Sequence, residues 1–223
     1  MFAVLLDFNG TMFFDSSLHQ EAWSRIYREL YPQGTDSPDE SLFCGPRNDV
    51  ILQNLAPWLS AEEREQYSER KESLYRQACL NHPEKLHLVP GTEAFLDRLL
   101  QSGIPFALAS ASIKPNIDFF FEVFSLGKWF RREDVVYDDG TYPDKGAMHL
   151  EAARRMGVTL ADCLLVEDSP SSIALARQNG AGSIIALGHT ASPSKLLELA
   201  DHWIEDFTGF EPAWLLRNTS DLN

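Results

Sequence analysis

Short apolar runs recur along this chain, and each one ends in small or acidic residues. The first extends from Phe2 to Leu6, is partly β-branched, and stops at Asp7. Later runs end at Ser110, at Glu167-Asp168 and at Gly188. Continuous runs of this length are typical of strands buried on both faces, as in a parallel sheet. The pattern therefore predicts strands whose carboxyl ends carry polar side chains.

Helical patterns separate the later runs. Apolar residues at helical spacing precede Gly103, Gly157 and Gly180, and a glycine at such a point can serve as a left-handed helix cap. Strands that alternate with helices at this spacing predict an α/β fold. We expect a Rossmann-like parallel sheet with helices on both of its faces.

The stretch from about Phe14 to Lys85 lacks strand-like runs. Its apolar residues fall at helical spacing in three places, which are Ala22-Ile26-Leu30, Val50-Ile51-Leu55 and Tyr67-Leu74-Ala78. This spacing predicts amphipathic helices. We interpret residues 14–85 as a small helical-bundle domain inserted after the first strand. Residues 1–13 and 86–223 then form the α/β core domain.

Charge and cysteine content narrow the choice of partners. The formal net charge is −14 over 223 residues, which disfavours nucleic acid and anionic membranes as partners. The three cysteines, Cys44, Cys79 and Cys163, are widely spaced and indicate neither a disulfide framework nor a zinc cluster. No apolar run approaches the roughly 20 residues that span a bilayer, and Met1 lacks a basic leader. We expect a cytoplasmic protein that is a monomer or a weak dimer.

Three strand ends carry candidate chemistry. Ligands of open parallel sheets bind outside the carboxyl ends of the strands, where Asp7, Ser110 and Glu167-Asp168 are predicted to lie. Each residue alone is explained more readily by a loop or helix cap, whereas the three strand ends together favour a ligand site. Three carboxylates facing one crevice, however, repel each other unless a cation lies between them, and hard oxygen ligands favour magnesium. Magnesium in turn indicates a phosphorylated ligand.

The ordered motifs resemble those of a known superfamily. The motifs are DFNGT at 7–11, LASAS at 108–112, a lysine at 145 and VEDSPSSI at 166–173. Together they resemble the four motifs of the haloacid dehalogenase superfamily, whose members are mostly magnesium-dependent phosphatases and phosphomutases. The resemblance covers nearly the whole chain. The helical insertion resembles the cap domain of β-phosphoglucomutase-like members, which closes over the site.

This resemblance implies a role for each motif. Asp7 is the implied nucleophile, which attacks phosphorus and forms an aspartyl-phosphate. Ser110 would donate a hydrogen bond to the transferred phosphoryl group, and Lys145 would neutralise that group and orient Asp7. The implied cofactor is Mg²⁺, and its implied ligands are Asp7, the backbone carbonyl of Asn9, Glu167 and Asp168.

The lysine assignment has an alternative. In relatives, this lysine is usually the first residue of a Lys-Pro-x-Pro-Asp stretch. When the two sequences are aligned on the helix residues 150–153, Pro143 falls at the position of that lysine and Lys145 lies two residues later. A displaced helix start would restore the geometry. Otherwise Lys145 is a surface lysine near a turn, and Lys114 is the other candidate cation.

Asn9 departs from the family pattern. Phosphatases and mutases of the family carry a second aspartate there, which acts as general acid and base. An amide cannot transfer protons at neutral pH, and loss of a general acid or base lowers rates by roughly 10²- to 10⁴-fold. The backbone carbonyl of Asn9 is still available to magnesium. We therefore expect metal and phosphate binding with slow turnover.

Substrate-binding positions follow from the same resemblance. They comprise Thr11, His19, Arg47, Ala111, Ser112 and Lys114. Compared with the mutases, Arg47 lies one residue closer to the glycine that precedes it, Gly45, and Ile113 is an extra residue before Lys114. Both shifts weaken the resemblance to a mutase, whose second phosphate is held by the matching residues.

Several functions fit to different degrees. Haloacid dehalogenases attack carbon without a metal, which would leave Glu167-Asp168 without a role. Phosphonatases form a Schiff base with a lysine of the cap domain. At the nearest comparable place, the turn that begins at Cys44, this chain has Arg47, and an arginine cannot form that imine. We interpret the chain as a phosphatase of a small phosphorylated metabolite, namely a sugar phosphate. The alternatives are a β-phosphoglucomutase-like phosphomutase and a weakly catalytic binding or regulatory module.

Overall fold

The computed structural model describes residues 2–34, 43, 47–188 and 191–210. The chain divides into two compact units. One consists of Met1–Phe14 with His87–Asn223, and the other of Asp15–Leu86. We call them the α/β unit and the helical unit.

The described part of the α/β unit contains a six-stranded sheet. Its strands are β1 (Ala3–Leu6), β2 (Phe106–Ile113), β3 (Val136–Asp138), β4 (Cys163–Glu167), β5 (Ser183–Leu187) and β6 (His202–Ile204). They lie in the order β3-β2-β1-β4-β5-β6, and every neighbouring pair is parallel. This is the order of a doubly wound sheet, whose topological switch point lies between β1 and β4.

The α-helices are divided between the two units. Those of the helical unit are α1 (Ser16–Leu30), α2 (Asn48–Leu55) and α3 (Ala61–Asn81). Those of the α/β unit are α4 (Thr92–Gln101), α5 (Lys114–Val123), α6 (Lys145–Arg155), α7 (Pro170–Gln178) and α8 (Pro193–Leu197). The three helical patterns predicted between residues 14 and 85 therefore correspond to α1, α2 and α3. None of the described helices is both long and apolar enough to cross a bilayer.

Both faces of the sheet are buried. Ala3 and Leu5 of β1 belong to one apolar cluster with Met148 of α6 and Ile173 of α7. Successive side chains of a strand point to opposite faces, and the alternate residues of β1, Val4 and Leu6, are also fully buried. The predicted fold class, a parallel sheet covered by helices on both faces, is confirmed.

Two edge strands were not predicted from the sequence. β3 and β6 have three residues each, and their neighbours in the sheet are β2 and β5. Runs as short as Val136–Asp138 and His202–Ile204 carry no periodicity that separates a strand from a loop. These residues form strands because they pair with β2 and β5. The sequence pattern of three residues does not reveal such a pairing.

The helical unit contains a buried polar network. The Lys71 side chain is 3% exposed, and its Nζ lies 2.8 Å from Glu72 Oε1 and 2.8 Å from His19 Nδ1. The ring of His19 stacks on Tyr75, with 3.9 Å between centroids. Tyr75 Oη donates to Asp15 Oδ2 at 2.5 Å. A lysine ammonium has only donors, so His19 Nδ1 must accept from it.

This network determines which ring nitrogen of His19 carries the proton. Because Nδ1 accepts from Lys71, the proton of the neutral ring lies on Nε2, which is 3.2 Å from Asp15 Oδ2. Both ring nitrogens of His19 are therefore engaged within the helical unit.

Removing the buried cation should destabilise the protein strongly. We expect Lys71→Met to cost about 3–5 kcal/mol, because Glu72 would remain buried without its cation. Replacing both residues, in Lys71→Met/Glu72→Gln, should recover a large part of the loss. The measurement is chemical unfolding of each variant.

Arg70→Met provides the matched control, because Arg70 lies next to Lys71 on α3 and pairs with Glu29 at an exposed site. It should leave the unfolding midpoint nearly unchanged. Equal effects of the two single substitutions would contradict the proposed importance of burial.

Candidate active site

Three carboxylates meet where β1 and β4 end. These strands are neighbours in parallel register, with Leu6 opposite Val166, and the backbone N–H of Asp7 donates to the Val166 carbonyl at 3.0 Å. The carboxylates of Asp7, Glu167 and Asp168 each place one oxygen within 4.8 Å of the others. All three residues are buried. Three hard, anionic oxygen donors at this spacing fit a magnesium ion.

The loop after β1 is wound tightly against Asp168. The carbonyl of Phe8 accepts from the backbone N–H groups of Thr11, Met12 and Phe13. Gly10 has φ +79°, and a Cβ built on it would lie 2.3 Å from Asp168 Oδ2. The loop therefore requires glycine both for its backbone angle and for its close approach to the acid.

Lys145 lies beside the predicted nucleophile. It is the first residue of α6, whose N-terminus is capped by the Asp144 side chain. Its Nζ contacts Asp7 Oδ1 and lies 3.6 Å from Glu167 Oε1, and its side chain is 12% exposed. Lys114, the alternative cation, is 62% exposed and pairs with Asp118 at 2.6 Å. The structure thus brings Lys145 to Asp7, although its position in the alignment was displaced.

The two carboxylates beside Lys145 differ in their electrostatics. Burial raises the pKa of Asp7 to about 7, although Lys145 acts to lower it. Burial also acts to raise the pKa of Glu167, but Lys145 and several hydrogen bonds outweigh it and hold that pKa below its ordinary value. Glu167 Oε2 accepts from the backbone N–H groups of Asp168 at 2.8 Å and Ser169 at 3.0 Å. Glu167 is therefore the firmer anion of the two.

The lysine remains a cation. Burial acts to lower the pKa of Lys145, but the carboxylates of Asp7 and Glu167 outweigh it and raise that pKa. One positive charge is therefore shared between two buried acids, and the cluster with Asp168 keeps an excess of negative charge.

His149 lies outside the sequence motifs. It lies one turn after Lys145 on α6, is fully buried, and places Nε2 3.9 Å from Glu167 Oε1. Neither of its ring nitrogens has a hydrogen-bond partner among the residues that the structure describes. Burial lowers the pKa of His149 to about 4, so the ring is neutral at physiological pH. Its spacing of four residues from Lys145 was the available signal, since residues so spaced share a helix face.

Asn9 is held by the end of β2. Its Oδ1 accepts from Ser112 Oγ at 2.7 Å and from Ser110 Oγ at 3.2 Å. The Ser112 backbone N–H donates to Ser110 Oγ at 3.2 Å. Thr11 is also drawn into the cluster, because its hydroxyl donates to Asp168 Oδ1 at 3.4 Å. Ala111 is exposed between the two serines.

Two predicted substrate residues belong to the helical unit. His19 contacts Lys71 and Asp15 there. Arg47 precedes α2, and its Nε lies 3.6 Å from Asp49 Oδ1. The rest of the predicted turn, residues 44–46, lies outside the described residues. A substrate contact of His19 or Arg47 stays a prediction.

The pKa of Asp7 predicts a pH-dependent effect of substitution. A carboxyl group whose pKa rises on folding adds stability below its unfolded pKa of 3.8, and that stability is lost as the pH rises through about 7. Asp7→Asn has no such dependence. Without divalent cations, its melting temperature relative to the native protein should rise by several degrees between about pH 5 and pH 8. Calorimetry of both proteins at both pH values measures this difference. A difference in melting temperature that does not change with pH would contradict the raised pKa of Asp7.

Comparison with known proteins agrees with this geometry. The family model described as haloacid dehalogenase-like hydrolase matches residues 1–180. YhcW of Bacillus subtilis, whose name proposes that it is a phosphatase, is 25% identical over 231 residues, covering 99% of each chain. The plasmid protein CbbY of Cupriavidus necator is 27% identical over 103 residues, which cover 45% of this chain and only 41% of CbbY.

A solved structure matches over the full length. The family IA, variant 3 hydrolase of Entamoeba histolytica superimposes with a TM-score of 0.88 at 26% identity, covering 99% of this chain and 100% of that one. With the family model matching most of the sequence and the motif residues gathered at the ends of β1, β2 and β4, the chain belongs to the haloacid dehalogenase-like hydrolases.

Proposed function

We propose that this protein is a magnesium-dependent phosphatase that acts slowly on a small phosphorylated metabolite, namely a sugar phosphate. The observation that carries the proposal is the position of Asp7, which contacts the Lys145 ammonium and lies within 4.8 Å of the acids Glu167 and Asp168. Phosphoryl transfer depends mainly on positioning and charge neutralisation, and this arrangement offers both. The sugar phosphate is proposed from the resemblance of the helical insertion to that of β-phosphoglucomutase.

The proposed reaction has two steps. A carboxylate oxygen of Asp7 attacks phosphorus, and the bond from phosphorus to the leaving oxygen breaks with its electron pair on that oxygen. Water then attacks the same phosphorus, the bond from Asp7 to phosphorus breaks with its electron pair on the carboxylate oxygen, and the water gives up a proton to the solvent as phosphate leaves. Magnesium held by Asp7, the Asn9 carbonyl, Glu167 and Asp168 would neutralise charge on the phosphoryl oxygens.

The residues of the chain divide the remaining work. Lys145 lowers the pKa of Asp7 against the effect of its burial and adds positive charge beside the incoming phosphoryl group. Ser110, whose hydroxyl donates to Asn9 in this structure, turns to donate to a phosphoryl oxygen. Ser112 continues to hold the Asn9 amide. Asn9 offers hydrogen bonds but no transferable proton, which makes turnover slow.

A second candidate is a module that binds a phosphorylated ligand without turning it over. Asn9 favours it, because the amide retains its place between Ser110 and Ser112 while lacking acid and base function. Turnover that depends on Asp7 distinguishes the two candidates.

The metal assignment and the nucleophile can be tested together. Asp168→Asn should bind magnesium at least about tenfold more weakly in calorimetric titration, because it loses an anionic hard ligand.

Asp7→Asn should release no phosphate from a panel of sugar phosphates, whereas the native protein should release it only with magnesium present. Asp139→Asn is the control, since Asp139 is an exposed acid in the turn after β3 that accepts from Thr141. Unchanged magnesium affinity in Asp168→Asn would remove this acid from the metal site.

Restoring the carboxylate at position nine should increase turnover. Asn9→Asp is expected to raise the rate by roughly ten- to a thousandfold, the range of general acid and base catalysis. Magnesium affinity should change little, because the proposed metal contact of Asn9 is its backbone carbonyl. The measurement is steady-state phosphate release at saturating magnesium.

Two controls accompany this measurement. Asn9→Ala removes the amide without supplying an acid and should show no gain. Asn-Gly pairs are prone to deamidation, but the Gly10 N–H that must attack is bonded to the Phe13 carbonyl at 2.8 Å. Intact-mass analysis should therefore find native preparations unconverted. No gain in a folded, magnesium-binding Asn9→Asp protein would favour the binding module.

A further inference from the structure

We propose that the phosphoryl group remains on Asp7 after transfer, so that the native protein accumulates as an aspartyl-phosphate and favours donors whose leaving group needs no proton. Acyl phosphates and aryl phosphates are such donors. The inference rests on the proposed function, because it requires Asp7 as the nucleophile. It goes further by naming the limiting step and the chemical class of donor that the site accepts best.

The hydrogen bonds of Asn9 provide the first argument. Its Oδ1 accepts from two serine hydroxyls, and the shorter bond, 2.7 Å from Ser112, holds the amide oxygen even if Ser110 turns to a phosphoryl group. The amide therefore presents only N–H hydrogens to any other group. It can donate a hydrogen bond to a leaving oxygen or to water, but it cannot accept a proton from either.

The neighbouring groups do not replace the missing base. Asp7 carries the phosphoryl group at this stage, and Lys145 is a cation. Glu167 already accepts from Asp168 N–H, Ser169 N–H and the Ser172 hydroxyl. His149 is fully buried, with Nε2 directed at Glu167, and is not open to the crevice. Asp168, the third acid of the cluster, accepts from the Thr11 hydroxyl at 3.4 Å and is assigned to the metal in the proposed function. Among the described residues of the α/β unit, these groups around Asp7 are therefore poor acceptors for a proton from water.

The two reaction steps differ in their need for proton transfer. In the first step the Asp7–phosphorus bond forms, the bond to the leaving oxygen breaks, and the electron pair leaves on that oxygen. A carboxylate or a nitrophenolate is stable with that charge, whereas a sugar alkoxide must be protonated. In the second step water forms the new bond to phosphorus, the Asp7–phosphorus bond breaks, and a proton of that water must go to a base. Activated donors therefore complete the first step readily and stop before the second.

The experiment is rapid-quench kinetics with magnesium and two probes, p-nitrophenyl phosphate and glucose 6-phosphate. With the first probe we expect a burst approaching one nitrophenolate per chain, followed by slow release. Intact-mass analysis of protein treated with acetyl phosphate should show one added phosphoryl group, which is absent in Asp7→Asn. The aryl probe should react at least about a hundredfold faster than the sugar phosphate in the burst phase.

Asn9→Asp is the matched variant. With a base restored, the burst and the added mass should disappear, steady-state release should rise, and the preference for the aryl probe should fall below about tenfold. Native protein that releases phosphate in an Asp7-dependent way without burst or added mass would overturn this inference and leave the proposed function standing. If phosphate release did not depend on Asp7, or were absent in both native protein and Asn9→Asp, the proposed function itself would fail.

Discussion

The ion pair of Lys145 with Asp7 is the interaction on which the site depends. Burying several carboxylates together is unfavourable unless positive charge lies among them, and here a single ammonium contacts Asp7 and approaches Glu167. The rest of the site follows from that shortage of positive charge. Asp7 holds its proton more readily than an ordinary aspartate, Glu167 is stabilised by three hydrogen-bond donors, and the three carboxylates form a cluster that could hold a metal ion.

The sheet makes this crowding possible. The strand order puts β1 beside β4 at the switch point, so that chain segments about 160 residues apart present their carboxyl ends together. The start of α6 then delivers Lys145, and the turn at Gly10 brings the loop within contact of Asp168. None of these elements supplies the site alone. Their common edge of the sheet brings them together.

The sequence predicted the parts of the structure that repeat or that carry chemistry at a strand end. Long apolar runs predicted the four interior strands, whereas the three-residue edge strands β3 and β6 had no local signal. The motif order indicated Asp7 and Glu167, but the alignment could not decide between Lys145 and Lys114, because spacing along a chain does not fix where a helix begins. His149 was missed for a different reason, because a buried histidine on an apolar helix face usually serves only packing.

Asn9 shows that binding geometry and proton transfer are separable in this site. A carboxylate and an amide have nearly the same shape, and either can accept from the hydroxyls of Ser110 and Ser112 through Oδ1. The exchange therefore leaves the β1 loop, the Asp7–Lys145 pair and the acidic cluster in place. It changes the charge at that point and whether a proton can be given or taken there. Selection on binding alone would tolerate asparagine there, while selection on turnover of poor leaving groups would not. Under the proposed function, the chemistry of the leaving group, more than the shape of the pocket, would determine which phosphorylated compounds this site processes.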